Sequence, residues 1–456
     1  MAKEGTQVLL PVEADAFAES LRCFTLQDVG NPQWSRQHEL LEKLNMQAVV
    51  NASAQEDEFV KDFLITHDKI RVLVHDLLLT EVWKQKIFSE LIDMDFNPKS
   101  TFPIYLILYH EGTVINLLET IFFYKETAET AEDCIMDLLD YCYRKLTEMV
   151  ARMEEVEDDT DELLNGNDIA STVSNSSMEE LEKQDRKLTF EICVRALTLL
   201  RYITDHLDSL PLSVMTRILN TLDIPILLVQ LVEMPPWSRC KAGKQYKYID
   251  NKWQEVDFDD SWKLTKIEGQ VWIALFNLLM SPSCQQKYDL NSYKKNAILK
   301  LRSFLTEPML DQIPVLGEMQ RFLEHLSMMD PPPPKKDVLL EQVPEIREGI
   351  LKSNEGNWAK LAKKQAKTFL NPSESDLRNL AKRWADTYNF DVIEGLLSDP
   401  PKCAACGEAA SKRCSRCQNE WYCRRECQVQ HWSKHKKACN LMHEATQKLK
   451  QAQTES

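Results

Sequence analysis

Seven cysteines and one histidine crowd the C-terminal part of this chain in the pattern C-x2-C-x7-C-x2-C-x5-C-x3-C-x7-H-x3-C. They are Cys403, Cys406, Cys414, Cys417, Cys423, Cys427, His435 and Cys439. Thiolates and imidazole are the ligands of choice for zinc, and eight of them complete two tetrahedral sites. A segment of fewer than 40 residues buries too little apolar surface to fold unaided, so metal has to supply the missing free energy. Structural zinc in such modules contributes about 10–16 kcal/mol at neutral pH. The few apolar residues here contribute far less.

Each C-x2-C turn presents two sulfurs to one metal. Cys423 and Cys427 are spaced i,i+4 as on a helix, as are His435 and Cys439, so each pair is expected to face one way. Two pairings satisfy this spacing. In a sequential one, the first four cysteines share a zinc. In an interleaved one, Cys403 and Cys406 join Cys423 and Cys427, while Cys414 and Cys417 join His435 and Cys439. Spacing leaves both open, although interleaving closes longer loops and ties a short chain together better. His431, four residues after Cys427, competes with His435, and His443 lies four residues beyond Cys439. His435 completes the eighth position at this spacing, which leaves His431 as an exposed helix residue. With all eight positions filled, neither zinc keeps an open site for catalysis.

The ligand spacing, with Trp421-Tyr422-Cys423 and the run from Cys427 through Gln428 and His431 to Trp432, resembles the MYND-type zinc fingers. The resemblance implies two Zn2+ with interleaved ligands: Cys403, Cys406, Cys423 and Cys427 on one, Cys414, Cys417, His435 and Cys439 on the other. MYND fingers are mainly interaction modules for short proline-containing peptides. Their groove positions match Gln428 and Trp432 here. At i,i+4 these share one helix face, the indole as apolar anchor and the amide as hydrogen-bond partner for a peptide backbone. Packing of Trp432 into the small finger core is the competing reading.

The elements upstream read as helices almost throughout. Hydrophobic residues make up 43% of the 456 residues, enough for a large core, and only 11 are glycine. Ile192, Ala196, Leu199, Leu200 and Ile203 recur at helical spacing, as do Val271, Ala274, Leu275, Leu278 and Leu279. Leu377, Leu380, Trp384 and Tyr388 mark a late helix, with Ser373 or Ser375 as its cap. Ile70 to Trp83 and Ile224 to Trp237 place Ile, Leu, Leu and Trp at the same offsets. With the A-L-x-N-L pattern at 274–278, this resembles armadillo-type repeats, whose concave surfaces bind extended partners. Gln245 to Val256 alternates around Asp250-Asn251 and predicts an inserted β-hairpin. Arg239, Lys241 and Lys244 beside it suit either an anion or a solvated loop.

Two compositional breaks divide the chain. An acidic run from Glu154 to Glu162 leads into Ser/Asn-rich sequence, and Pro331–Pro334 followed by two lysines predicts an extended spacer. The expected organisation is therefore an N-terminal helical domain (1–153), an acidic linker (154–185) and an armadillo-like domain (186–330). A proline-rich spacer (331–336), C-terminal helices (337–400), the finger (401–439) and a tail (440–456) follow. Overall the expected fold is mostly α, with a small β-hairpin and a two-zinc finger.

Net charge is −16, yet residues 401–456 carry 11 Lys+Arg against 5 Glu, so the finger region is at +6 and the remainder at −22. An acidic body is poorly suited to phosphate backbones, and no nucleic acid is expected as partner. Cys23, Cys134, Cys142, Cys193, Cys240 and Cys284 are scattered, which predicts buried reduced thiols rather than a disulfide framework. The apolar runs are too short for a signal peptide or a bilayer span, so no membrane insertion is expected.

Over its full length the chain resembles the MYND-finger assembly factors of axonemal dynein arms. The matching residues include Lys412 to Cys423 and the helix at Gly269–Leu275. The resemblance implies a cytoplasmic scaffold or co-chaperone acting before dynein reaches motile cilia. Its implied partners are a leucine-rich-repeat assembly protein and the Hsp90-type chaperone system, with axonemal dynein chains as clients. Implied locations are dynein assembly particles, the centrosome with its centriolar satellites, and the apical cell cortex. Some MYND fingers sit inside SET-domain methyltransferases, but this chain has no N-H-S-C-x-P-N-like strand, P-loop, G-x-S-x-G or H-E-x-x-H. A nuclear corepressor is the alternative, although the acidic body offers no basic recognition helix.

Overall fold

Leucine, isoleucine and valine at helical spacing carry the polypeptide through a succession of α-helices. The computed structural model describes residues 8–151, 178–241, 243–257, 260–329, 333–334 and 342–387, and in the finger residues 403–406, 410, 412–416, 421–432, 435–436 and 439. The acidic run, most of the proline spacer, Tyr388, Cys417, His443 and the tail lie outside them. By internal contacts the chain divides into Gln7–Thr387, and Tyr388–Ser456 together with Met1–Thr6.

The main helices of the first unit are α1 (Pro11–Ser20), α2 (Pro32–Ala54), α3 (Phe59–Thr66), α4 (Ile70–Val82), α5 (Phe102–Phe122) and α6 (Cys134–Ala151). They continue with α7 (Met178–Asp205), α8 (Ile224–Glu233), α9 (Lys266–Met280) and α10 (Leu316–Met328). The last three are α11 (Ile346–Asn354), α12 (Trp358–Thr368) and α13 (Glu374–Thr387). Local chemistry sets their ends. Asn31 accepts hydrogen bonds from the backbone N–H of Gln33 and Trp34 with Pro32 in the first turn, which starts α2. Thr265 and Glu268 form a reciprocal capping box on α9. Of the two serines considered for α13, Ser373 accepts from the Asp376 N–H.

Helix α5 is apolar on nearly every side, and α2, α4 and α7 pack around it. The residues singled out on α7 and α9 by their spacing are all buried. The two segments with matching offsets both form helices followed by a buried tryptophan, Trp83 and Trp237. Beyond it they diverge, the first continuing as a π-helical turn and the second entering a β-strand. One continuous core runs from Leu9 to Leu370. The described parts of the segments read as separate helical domains at 1–153, 186–330 and 337–400, as far as Thr387, therefore share a single interior, and α7 begins eight residues before 186.

The hairpin forms as β2 (Lys244–Ile249) and β3 (Lys252–Val256), and positive φ at Asp250 and Asn251 gives the turn whose twist matches the strands. A further strand, β1 (Ser238–Lys241), pairs antiparallel with β2 through a turn at Gly243, where φ is +77°. The basic flank is thus strand rather than loop. Arg239 lies 4.1 Å above the Trp253 ring, and Lys244 pairs with Glu255. Tyr248 and Trp253 close on Phe190 of α7, which anchors the sheet to the helices. All six body cysteines are free thiols. Cys134, Cys142, Cys193 and Cys284 are buried as expected, whereas Cys23 and Cys240 are exposed because one lies in a loop and the other on an edge strand. Among the described residues no single helix is long and apolar enough to cross a membrane.

Polar groups buried between helices fix how they meet. Asp137 of α6 accepts hydrogen bonds from the backbone N–H of Glu345, Ile346 and Arg347, and so caps α11 from across the fold. Gln365 of α12 accepts from Trp83 Nε1 at 2.8 Å and donates to the Leu26 carbonyl at 2.9 Å. Between α2, α4 and α5, His110 Nε2 lies 3.0 Å from Asp76 Oδ2 and His110 Nδ1 lies 2.8 Å from His38 Nδ1. The carboxylate takes the Nε2–H of His110, so the proton between the rings belongs to His38, whose own Nε2 is buried without a partner among the described residues.

Burial and the neighbouring His110 hold the His38 pKa well below the usual 6.5. Below about pH 6.5 the unfolded chain takes up a proton that the folded chain refuses, so stability falls as pH drops through that value. The slope is about 1.4 kcal/mol per pH unit for each proton withheld. Melting temperature measured from pH 7.5 to 5.5 should therefore decline less steeply in His38→Asn, which keeps an N–H toward His110 but does not titrate. Equal slopes in the two proteins would show that His38 is not the acid-sensitive group.

Candidate metal centre

Two very short strands organise the finger. Strand β4 (Lys412–Arg413) pairs antiparallel with β5 (Trp421–Tyr422), and the Ala404 N–H bonds the Trp421 carbonyl at 3.0 Å. These contacts bring the first C-x2-C turn beside Cys423. Residues 425–432 are helical and carry Cys427 inward. Cys423 sits just ahead of that helix rather than on it, yet its Sγ is 3.6 Å from that of Cys427. The bend at Cys423 and Arg424 achieves what an i,i+4 pair was expected to do.

Cys403, Cys406, Cys423 and Cys427 gather with their sulfurs all within 4.8 Å of one another. Cys406 lies 3.5 Å from Cys423 and 3.7 Å from Cys427, sulfur to sulfur. Four sulfurs at about 2.3 Å from a tetrahedral zinc stand about 3.8 Å apart, so the spacing fits that ion and is far too long for a disulfide. A second group joins Cys414, His435 and Cys439, all buried, with the two sulfurs 3.8 Å apart. Cys414 thus gathers with residues beyond Cys427 and not with Cys403 and Cys406. Its expected companion Cys417 is outside the described residues.

The electrostatics suit a cation. Hydrogen bonding to Cys406, burial and the other nearby thiols push the Cys423 thiol up to about 12. Burial also acts to raise Cys403, but backbone N–H groups of Cys423, Ala405 and Cys406 outweigh it and bring that thiol down to about 6. Crowded thiols with N–H donors aimed at one of them are the donor set of a structural zinc site, where the ion offsets the repulsion among thiolates. The finger is a zinc-binding module. Its small core says the same, since five of the seven buried residues among those described in the finger, Cys403, Cys414, Cys427, His435 and Cys439, belong to the two metal-binding groups.

His431 is not part of either group. It is half-buried rather than exposed, 3.1 Å from the Tyr422 hydroxyl through Nδ1, and its ring stacks on that of His435. The Tyr422 contact was not visible in the spacing, because the signal there is a lone tyrosine beside a ligand. Gln428 and Trp432 fall one helical turn apart and are both half-buried. The Trp432 ring packs partly on the finger core, 5.9 Å from His435, and Val429 between them is exposed.

Because both donor groups lie within the finger, a strong zinc chelator should unfold it alone. Hydrogen-exchange mass spectrometry of the full chain should show loss of protection over 403–439 and unchanged protection in α5. Retained protection in the finger after metal removal would mean that metal does not hold it together.

Residues 403–439 match the MYND finger family. The chain is 32% identical over 451 residues to the zinc finger MYND domain-containing protein 10 homolog of Drosophila melanogaster, which covers 94% of this chain and 98% of that protein. A stretch of 45 residues is 44% identical to ubiquitin carboxyl-terminal hydrolase 19 of Arabidopsis thaliana. That match spans 10% of this chain and 7% of the other, too little to bring the hydrolase activity with it. No solved structure matches the chain. The long match covers both the helical body and the finger. This chain belongs to the zinc finger MYND domain-containing protein 10 family.

Proposed function

We propose that this protein is a non-enzymatic scaffold or co-chaperone for the cytoplasmic preassembly of inner and outer axonemal dynein arms. The observation that carries the reading is the near full-length identity to a MYND 10 homolog, which keeps body and finger together as one unit. The dynein role itself rests on the family resemblance. In this reading Cys403, Cys406, Cys423 and Cys427 hold one zinc, and Cys414, Cys417, His435 and Cys439 the other. Bound zinc supplies cross-links and no reactive position, because each set is complete.

The protein's own surfaces do the rest. The helix face bearing Gln428 and Trp432 receives a peptide, with the indole as anchor and the amide pairing its backbone. The helical body, with armadillo-like stacking, offers a second and larger surface. Its charge of −22 disfavours nucleic acid and is compatible with protein clients. The proposed partners are a leucine-rich-repeat assembly protein and the Hsp90-type chaperone system, with dynein chains as clients. Action is placed in the cytoplasm, at dynein assembly particles, centrosome and centriolar satellites, and the apical cortex.

Affinity purification from multiciliated cells separates this reading from a nuclear corepressor. Dynein chains and chaperones should be recovered with the wild type, whereas chromatin factors in their place would sink the proposal. Replacing Cys414 and Cys417 by alanine should remove the finger's partner while the body keeps its helicity. Trp432→Ala should weaken that partner by about thirtyfold with two zincs per chain retained, as for loss of an interface anchor. Undiminished binding in both variants would deny the finger any adaptor role.

A further inference from the structure

A cavity of about 380 Å³ opens between the loop at Cys23–Leu26, helix α4 and helix α11. Leu26, Leu79 and Ile350, all buried, give it an apolar lining. Arg71 is its one fully charged cation, and that guanidinium makes no hydrogen bond or ion pair with any described residue. His75, one turn further along α4, lines the same cavity, and its buried Nδ1 has no partner among the described residues. Burial lowers the His75 pKa, so the ring is neutral at physiological pH. The backbone of Gly349 faces this space, and a Cβ placed there would meet nothing within 4 Å.

We propose that this cavity binds the C-terminal residue of a peptide, taking its free carboxylate on Arg71 and its apolar side chain among Leu26, Leu79 and Ile350. A monoanion is the charge that fits. A dianionic phosphate would meet a single cation and face Glu345, the acidic residue in the lining. A wholly apolar ligand would leave Arg71 and His75 desolvated without compensation. A peptide also brings a backbone N–H near its terminus, and two acceptors stand ready for it. Glu345 has no side-chain partner among the described residues, and Asn354 uses only its Nδ2, on the Ile350 carbonyl.

Cys23 supplies the readout, as an exposed free thiol in the lining, with exposed Cys240 on the sheet as internal control. The full chain is alkylated with iodoacetamide in the presence of the tetrapeptide Ala-Ala-Val-Leu as free acid, the same peptide as C-terminal amide, or hexanoate. The acid should slow labelling at Cys23 and leave Cys240 unchanged, while the amide protects at least about tenfold less well. Arg71→Met should lose about tenfold in protection by the acid, and Gly349→Leu should abolish it by filling the cavity. Neither change threatens the fold, since Arg71 is exposed and unpaired and Gly349 has open space at a helical φ. No protection by the acid at millimolar concentration, equal protection by the amide, or protection that survives Gly349→Leu overturns the site. Hexanoate protecting as well as the peptide acid overturns the peptide assignment in favour of small carboxylic acids.

Discussion

Thiol sulfurs held 3.5–3.7 Å apart resist becoming thiolates unless a cation sits among them, and among its described residues the finger has little apolar core to hold its shape instead. Among the described residues of the finger, Tyr422 and Ala410 are the only buried ones outside the metal-binding thiols and His435. Their burial contributes a few kcal/mol at most, while ordering each residue costs about 1–2 kcal/mol. Coordination therefore fixes everything the finger presents. Cys427 pins the first turn of the helix at 425–432, the Tyr422 contact with His431 pins its other end, and the Gln428 and Trp432 face points where those two constraints leave it.

The body is held by different physics. Its apolar core is large, and the specificity of its packing comes from polar groups that only one arrangement satisfies. Lys145 and Glu111 pair at 2.7 Å inside the core, with the Tyr141 hydroxyl donating to the same carboxylate. Arg144 makes a two-point contact with buried Glu81, which Arg347 of α11 also approaches. Removing one member of such a set strands a buried charge, so the network selects the native packing even where it adds little net stability. Asp137 and Gln365 extend this to the C-terminal helices, which is why chain beyond the proline spacer joins the same core.

Much of this was legible in the sequence where the signal is local. Helical periodicity found the core faces of α7 and α9, Asp250-Asn251 found the hairpin turn, and ligand spacing found the candidate ligands, whose grouping only the family resemblance implied. The misses share a cause. Strand β1 has no apolar alternation and exists because β2 offers it an edge. The Asp137 cap spans more than 200 residues, and the Trp83–Gln365 bond spans 282. Contacts of that range leave no periodic trace, so the boundaries at 153 and 330 looked like domain limits when they are only breaks in composition. His431 read as exposed because nothing in i,i+4 spacing reveals that Tyr422, on a different element, turns to meet it.

Pairing of the ligands decides whether the finger is the closed, cross-braced surface that the adaptor reading needs. Cadmium-113 NMR of the full chain, with zinc replaced by the isotope and cysteine and histidine labelled, assigns each side chain to one metal through scalar coupling. The account predicts two resonances. One couples to Cys403, Cys406, Cys423 and Cys427, the other to Cys414, Cys417, His435 and Cys439. Coupling of Cys403, Cys406, Cys414 and Cys417 to a single metal, or a site completed by water, would contradict it.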